Sequence, residues 1–429
     1  MIFLIFLLLF KTGLSLTLDE ALSLYKSRSF SSKSLEVERD IYRRSYDEYA
    51  RCKWFTISLS DSGSSYVNYR RDEDHTFKDH FVRNTLTPQL NLAGISLYTN
   101  WRSDYAIETK DFDNKFVSLG AKTNLTNMFY SSSSYSSDMA YLNMKMNDIS
   151  SSMKDFDNIS KIIDIFSTVK VYEGRIDIKE RAIDQLRKDR EYTEDRLKAG
   201  LASGMDIKSL DLEISMLNQE LQEIYRDMYI SKRQLCLLIG IEFDDQQFAE
   251  IESQDIENVL VDSRDINLLE YELESDKKQR SLELRNLLPD LFISAEYDWN
   301  EVLERYDGVY GLSVSWDVTP NLSSYNQACK KVELGEEKLA NAKLNKSLEL
   351  EKKRGEYLSA REAIESALQE KEYWEQVVEV QREMYKNDLI SLQDYLKYFN
   401  KLRDKEISLS EKRYQIEAFK RKIKVLEEL

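Results

Sequence analysis

Two long stretches of this chain contain almost nothing that ends a helix. Residues 131–199 have no Pro and one Gly, Gly174; residues 321–386 have no Pro and only Gly335 and Gly355. Across 429 residues there are 12 Gly and 3 Pro, far below the usual ~7% and ~5%. So few turn residues mean a few very long elements rather than many short ones. A helix filling the first stretch would run about 100 Å at 1.5 Å per residue. At 42% hydrophobic residues, the chain carries too much apolar material to remain disordered.

The two stretches occupy equivalent places in a duplicated plan. TLTPQLNLAGISLYTNW (85–101) and NLLPDLFISAEYDW (286–299) align on Pro88 and Pro289, each a β-rich run ending in Trp. A second run follows in each half, KFVSLGAKTNL (115–125) and VYGLSVSWDV (309–318). Each breaker-poor stretch then meets a turn, RLKAGLASGMDIKSL (196–210) and MYKNDLISLQDYLKY (384–398). The expected organisation is an export signal over 1–15 and a first repeat over 16–240, with strands at about 88–125 and a hairpin tip near 200. A polar connector over 241–263 follows, then a second repeat over 264–429 with strands at about 289–318 and a tip near 388. That gives an α+β chain with four strands. Residues 53–86 have no counterpart in the second half; WFTISL and SSYVNY there are β-prone. They fit either an extra hairpin or a true first strand in a shifted register.

The opening run MIFLIFLLLF is too short to span a bilayer, which needs about 20 residues. It has the length of an export-signal core, and the small residues Gly13 and Ser15 allow cleavage near Ser15 or Leu16. A buried N-terminal helix is the plain alternative. A formal charge of -16 argues against nucleic acid as a partner. Two His and three scattered cysteines, Cys52, Cys236 and Cys329, offer no metal site, Cys/His nucleophile or disulfide framework. With no Gly-rich phosphate loop either, neither catalytic residues nor a cofactor are expected, and the chain is not read as an enzyme.

The second-half strands alternate. Leu291, Ile293, Ala295, Tyr297 and Trp299 share one face against Ser294, Glu296 and Asp298; Tyr310, Leu312, Val314, Trp316 and Val318 oppose Gly311, Ser313, Ser315 and Asp317. Val117, Leu119 and Ala121 repeat the pattern, while the phase slips between Leu90/Leu92 and Ile95/Leu97, where Gly94 could host a bulge. Such alternation suits both a membrane barrel with a wet lumen and a half-buried soluble sheet; the export signal favours the barrel. Four strands cannot close a barrel, and open edges cannot face lipid, so closure requires several chains. In 207–238, Ile207, Leu210, Ile214, Leu217, Leu221, Ile224, Met228, Leu235 and Leu238 form a heptad seam. A secreted or surface coiled-coil scaffold or adhesin would carry the same helices.

The ordered set of features resembles the TolC-like outer membrane efflux proteins, from LTLDEAL (16–22) and the second-repeat start Ser263, Arg264, Asp265, Ile266 to the paired tips RLKAGLASGMD and YKNDLISLQD. The resemblance implies a homotrimer, with a twelve-stranded barrel in outer-membrane lipid and a periplasmic helical tunnel. It implies docking on a periplasmic membrane-fusion adaptor and an inner-membrane pump, and passive export of drugs or secreted proteins. The family narrows its tunnel with aspartate rings after the second tip; Asp394 matches the first ring, and Lys397 stands at the second, three residues on and close enough to pair. Tyr385 and Asp206 match a family tip latch, whose accompanying Arg is replaced by Ile390. Adaptor contact would fall on Gly200, Leu201, Ala202 and Ser203, and on Asp388, Leu389, Ile390 and Ser391.

Overall fold

The computed structural model describes residues 15–72, 75–92, 95–108, 110–128, 130–243, 247–251, 256, 258–300, 305–316 and 318–428. Most of the expected export signal therefore lies outside the described residues. The elements in chain order are α1 (Leu18–Arg28), α2 (Phe30–Cys52), β1 (Phe55–Asp72), β2 (His75–Leu92), β3 (Ile95–Ala106) and β4 (Asp111–Asn124). After these come α3 (Ser132–Lys198), α4 (Gly204–Ile239), α5 (Arg264–Asn286), β5 (Asp290–Asn300), β6 (Arg305–Ser315), α6 (Val318–Lys386) and α7 (Leu392–Glu428). The breaker-poor stretches are α3, of 67 residues, and α6, of 69. The chain divides into two compact units, one of residues 1–37, 151–264 and 343–429, the other of 38–150 and 265–342.

The first unit is helical. Thr17 opens α1 with a capping box, its amide donating to the Glu20 carboxylate at 2.8 Å while its hydroxyl accepts from the Glu20 amide at 3.2 Å. Ala21, Leu22 and Tyr25 of α1 then pack with Ile162, Ile163 and Phe166 of α3, Leu235 and Ile239 of α4, and Ala418 and Val425 of α7. Each buried Leu, Ile, Val or Phe side chain among them contributes about 1.5–3 kcal/mol. Phe248 joins this core, and Leu16 pairs beside it, its amide donating to the Gln247 carbonyl at 2.8 Å. Part of the polar 241–263 stretch is thus bonded to the start of the described chain. A second core holds Leu210, Leu217, Leu221 and Ile224 of the expected heptad seam against Ile183 and Leu186 of α3 and Leu396 and Phe399 of α7.

Glu406 of α7 faces Arg181, Lys371, Glu375 and Asp177; burial pushes its carboxyl above the ordinary value, partly opposed by the two cations. A raised folded-state pKa means the folded chain binds the proton more tightly than the unfolded one. The cost is present at neutral pH and disappears as pH falls through the folded pKa. Glu406→Gln is expected to raise the thermal unfolding temperature at pH 7 and to give no gain at about pH 3, where glutamate is neutral in both states. Paired melts followed by circular dichroism check this.

The second unit contains one antiparallel meander in the order β1-β2-β3-β4-β5-β6. It has six strands where four were expected. Residues 53–86 hold the reason: Phe55–Asp72 pairs with His75–Leu92 as an extra hairpin. The 85–101 run is not one strand slipped by a bulge. It belongs to two strands, with Leu92 opposite Ile95 across a two-residue connection, and the expected bulge at Gly94 lies outside the described residues. Pro88 therefore sits inside β2, whereas Pro289 precedes β5, so the two prolines are not equivalent. Pro88 lacks an N–H, and the β2–β3 ladder runs from Leu86↔Trp101 to Gln89↔Tyr98 without pairs at Thr87 and Pro88. The Thr87 hydroxyl bridges there to the Asn100 side chain at 2.8 Å. β6 stops at Ser315, and Val318, expected to end the strand, opens α6 instead.

Candidate functional site

The sheet register sorts side chains into two unlike faces. One cross-strand row runs Phe55–Leu92–Ile95–Thr123–Ile293–Leu312, and the next Ile57–Leu90–Leu97–Ala121–Ala295–Tyr310. Further along lie Leu59, Leu119 and Tyr297, then Leu86–Trp101–Val117–Trp299–Tyr306. This apolar face is exposed: Ile57 is 72%, Leu119 64% and Leu312 72% accessible. From Leu291 to Trp299 it spans about 27 Å along the strand, or roughly 20 Å in height at a usual barrel tilt, the scale of an outer-membrane apolar band. Aromatics mark both limits, with Trp54, Phe55 and Trp316 at the end where the helices lead in and Trp101, Tyr297 and Tyr306 at the other.

The opposite face is polar and internally bonded. Tyr98 donates to Glu296 at 3.1 Å and the Asn91 amide to Thr56 at 2.9 Å. Asp104, fully buried, receives Arg83 at 2.8 and 3.1 Å, Arg102 at 3.0 Å and the Tyr66 hydroxyl at 3.1 Å. Arg83 also lies over the Tyr66 ring, 4.6 Å from its centre. These contacts hold the extra hairpin to β3. An exposed apolar face backed by a bonded polar one matches a wall between lipid and water.

The two helical turns repeat each other in detail. At the first, Gly200 takes φ 74° and the Leu201 amide donates to the Arg196 carbonyl at 2.8 Å. At the second, Asp388 takes φ 61° and the Leu389 amide donates to the Met384 carbonyl at 2.9 Å. Both close in the left-handed manner of a helix C-terminus, Asp being among the few non-Gly types that tolerate it. Each following helix opens with a Ser–Asp cap: the Ser203 amide donates to Asp206 at 3.1 Å and the Ser391 hydroxyl to Asp394 at 2.6 Å. Gly200 to Ser203 and Asp388 to Ser391 thus form the exposed edges of matching turns, with Leu201 and Leu389 largely exposed. The Arg196 guanidinium crosses between them to Asp388 and also donates to the Leu201 carbonyl at 3.1 Å.

Beneath the turns lies a polar cluster that sequence reading missed. Asp189, 5% exposed, accepts from the Tyr395 hydroxyl at 2.8 Å and from Arg382 at 3.0 Å. The Tyr385 ring stacks on Tyr395 at 5.6 Å, and its hydroxyl meets that of Thr193 at 2.9 Å. Burial, with Asp189 beside it, pushes the Tyr395 hydroxyl far above its ordinary value. Asp189, Thr193 and Arg196 follow the seam of Ile183 and Leu186 at helical spacing, and polar residues at seam positions were the available signal. The structure does not bond Tyr385 to Asp206; Thr193 holds the first, and the Ser203 cap holds the second. Asp394 and Lys397 are both exposed, and no ion pair joins them among the described residues.

No protein-family model matches the chain, and no curated protein matches it by sequence. Solved structures do match in fold. The outer membrane protein VceC from Vibrio cholerae superposes with a TM-score of 0.73 at 12% identity, covering 95% of each chain. CusC, studied for folding and transmembrane channel formation, gives 0.72 at 10%, covering 95% of this chain and 91% of its own. The open-state MtrE outer membrane channel of Neisseria gonorrhoeae gives 0.69 at 12%, covering 95% and 88%. Long paired helices joined to an antiparallel sheet, in this order and over nearly the whole chain, are the TolC-like outer membrane channel fold.

Proposed function

We propose that this chain is the protomer of a passive outer-membrane export channel. The observation that carries this reading is the exposed apolar face of the sheet, bounded by aromatics and backed by a polar face. A secreted coiled-coil scaffold has no use for such a belt, because water would meet Ile57, Leu119 and Leu312 directly. Unspent apolar stripes on the helices call for further copies: Leu212, Met216 and Leu237 of α4 and Leu344, Leu348 and Leu358 of α6 are exposed. A homotrimer gives these stripes partners. In this reading the chain sits in the outer membrane with its helices in the periplasm. It meets an adaptor and an inner-membrane pump, as the duct of a tripartite efflux or type I secretion system, and catalyses nothing.

The matching turns at 200–203 and 388–391 are the natural adaptor-docking edges, since they expose backbone and apolar side chains together. Asp394 and Lys397 would line the constriction as alternating charge rings. Tyr385, with Asp206 nearby and Thr193 as its bonded partner, serves as a latch between hairpins. In planar bilayers the purified protein is expected to pass a small current, and Tyr385→Phe combined with Thr193→Val, which removes both hydroxyls of the bond, to raise it several-fold. An unchanged current in the double variant would count against the latch. No current from any variant would count against the duct.

A further inference from the structure

The meander is open, with β1 and β6 at its two edges and no ladder joining them among the described residues. Its apolar face continues to both edges. Ile57 and Leu59 of β1 and Tyr310, Leu312 and Val314 of β6 are exposed, Tyr310 to 86% against 42% for Leu97 in the sheet interior. Hydrocarbon leaves unpaired backbone N–H and C=O groups without water, so these edges need partners there. The chain cannot supply them by closing on itself. Eight strands already make a barrel only just wide enough to be filled by side chains. Six would crush the charged inner face of Arg102, Lys122, Glu296 and Asp298.

We infer that β1 of one copy pairs with β6 of the next, so that three copies close an eighteen-stranded wall, six strands from each. The inference rests on the trimeric duct reading and departs from the twelve strands that the resemblance implies. Strand direction permits the joint: in an antiparallel meander of six, β1 and β6 run oppositely, and they meet as an antiparallel pair like every other pair in the sheet. The extra hairpin belongs to the wall and is not an appendage. β2 pairs with β3 from Phe81↔Ala106 to Leu92↔Ile95. Its Leu90 and Leu86 lie in the same apolar rows as Leu97 and Trp101, and Arg83 bonds Asp104 across the pair. A twelve-stranded ring would require β2 to leave β3, breaking that ladder and leaving Asp104 buried without Arg83. Because barrel width grows roughly linearly with strand number, the resulting pore is about one and a half times as wide as a twelve-stranded one.

Two measurements on the full-length protein test this. The first is electron cryomicroscopy of the wild-type assembly in nanodiscs, counting strands around the ring. The second is oxidative cross-linking in a background lacking Cys52, Cys236 and Cys329, with Ser58→Cys or Ser60→Cys on β1 combined with Ser313→Cys on β6. These positions lie on the water-facing side of the two edges. The expected results are eighteen strands, and covalent trimers from at least one double variant and from neither single variant on β1. A trimer with twelve wall strands and residues 55–92 outside the ring would overturn the inference while leaving the duct reading intact. A monomer in the nanodisc would overturn the duct reading itself.

Discussion

Replacing Asp189 with alanine is expected to destabilise the helical unit by about 3 kcal/mol, the low end of the cost of breaking a buried charge pair. The low end applies because the Arg382 side chain retains 26% exposure, which lets water reach part of the abandoned guanidinium. Asp189 takes three donors: Arg382 at 3.0 Å, the Tyr395 hydroxyl at 2.8 Å and Gln185 at 2.9 Å. Alanine leaves all three without an acceptor, and the Arg382 Nε is already buried without a partner. Tyr395→Phe removes one neutral donor and is expected to cost only about 1 kcal/mol. Pairing Asp189→Ala with Arg382→Leu recovers much of the loss, because no orphaned charge remains. Thermal unfolding of the detergent-solubilised protein measures all three. A single variant as stable as wild type would mean that Asp189 is reached by water.

The belt prediction is larger still in its consequence. Leu97 stands in the middle apolar row, between Leu90 and Ala121. Leu97→Arg sets a charge near the bilayer midplane, at a cost of about 2–4 kcal/mol per copy. Summed over three copies this is about 6–12 kcal/mol, comparable to the whole stability of a folded domain. The variant is expected to be lost from the outer-membrane fraction. Ser294→Arg places the same charge on the opposite face, in the row of Lys122 and Gly311, and is expected to assemble normally. Quantifying both variants in fractionated membranes checks the pair. Equal recovery of the two would mean that the apolar face does not meet lipid.

The duplicated plan was legible because its signals are negative as well as positive. The absence of Pro and Gly over α3 and α6 and the return of turn residues at Gly200 and Asp388 need no knowledge of packing. The alternation in β5 and β6 was equally plain. The extra hairpin was legible only as one of two readings of residues 53–86, because a Ser-rich run from Ser60 to Ser65 separates the apolar positions Phe55, Ile57 and Leu59 of β1 from Val67. Short polar side chains on both faces erase the period of two. Pro88 compounded the error: a proline reads as a strand boundary, yet here it lies within β2, where the ladder to β3 is interrupted.

The tips divide in the same way. Turn geometry was readable at both, but bonding within them was not. Tyr385 and Asp206 are close in pattern, and the Asp206 carboxylate is nevertheless claimed by its own helix cap at Ser203. Local caps compete with long-range partners for the same side chain. The Asp189 cluster escaped because polar residues on a heptad seam look like interruptions of a core, when here they bond to one another inside it.

The central claim is that one copy of this chain does not seal a pore and that several together do. Light scattering on the unheated, detergent-extracted wild-type protein, with the detergent contribution subtracted, tests it most directly. The expected particle has the protein mass of three chains and falls to one on heating. A single-chain mass before heating, or a particle that stays in buffer without detergent, would contradict the claim.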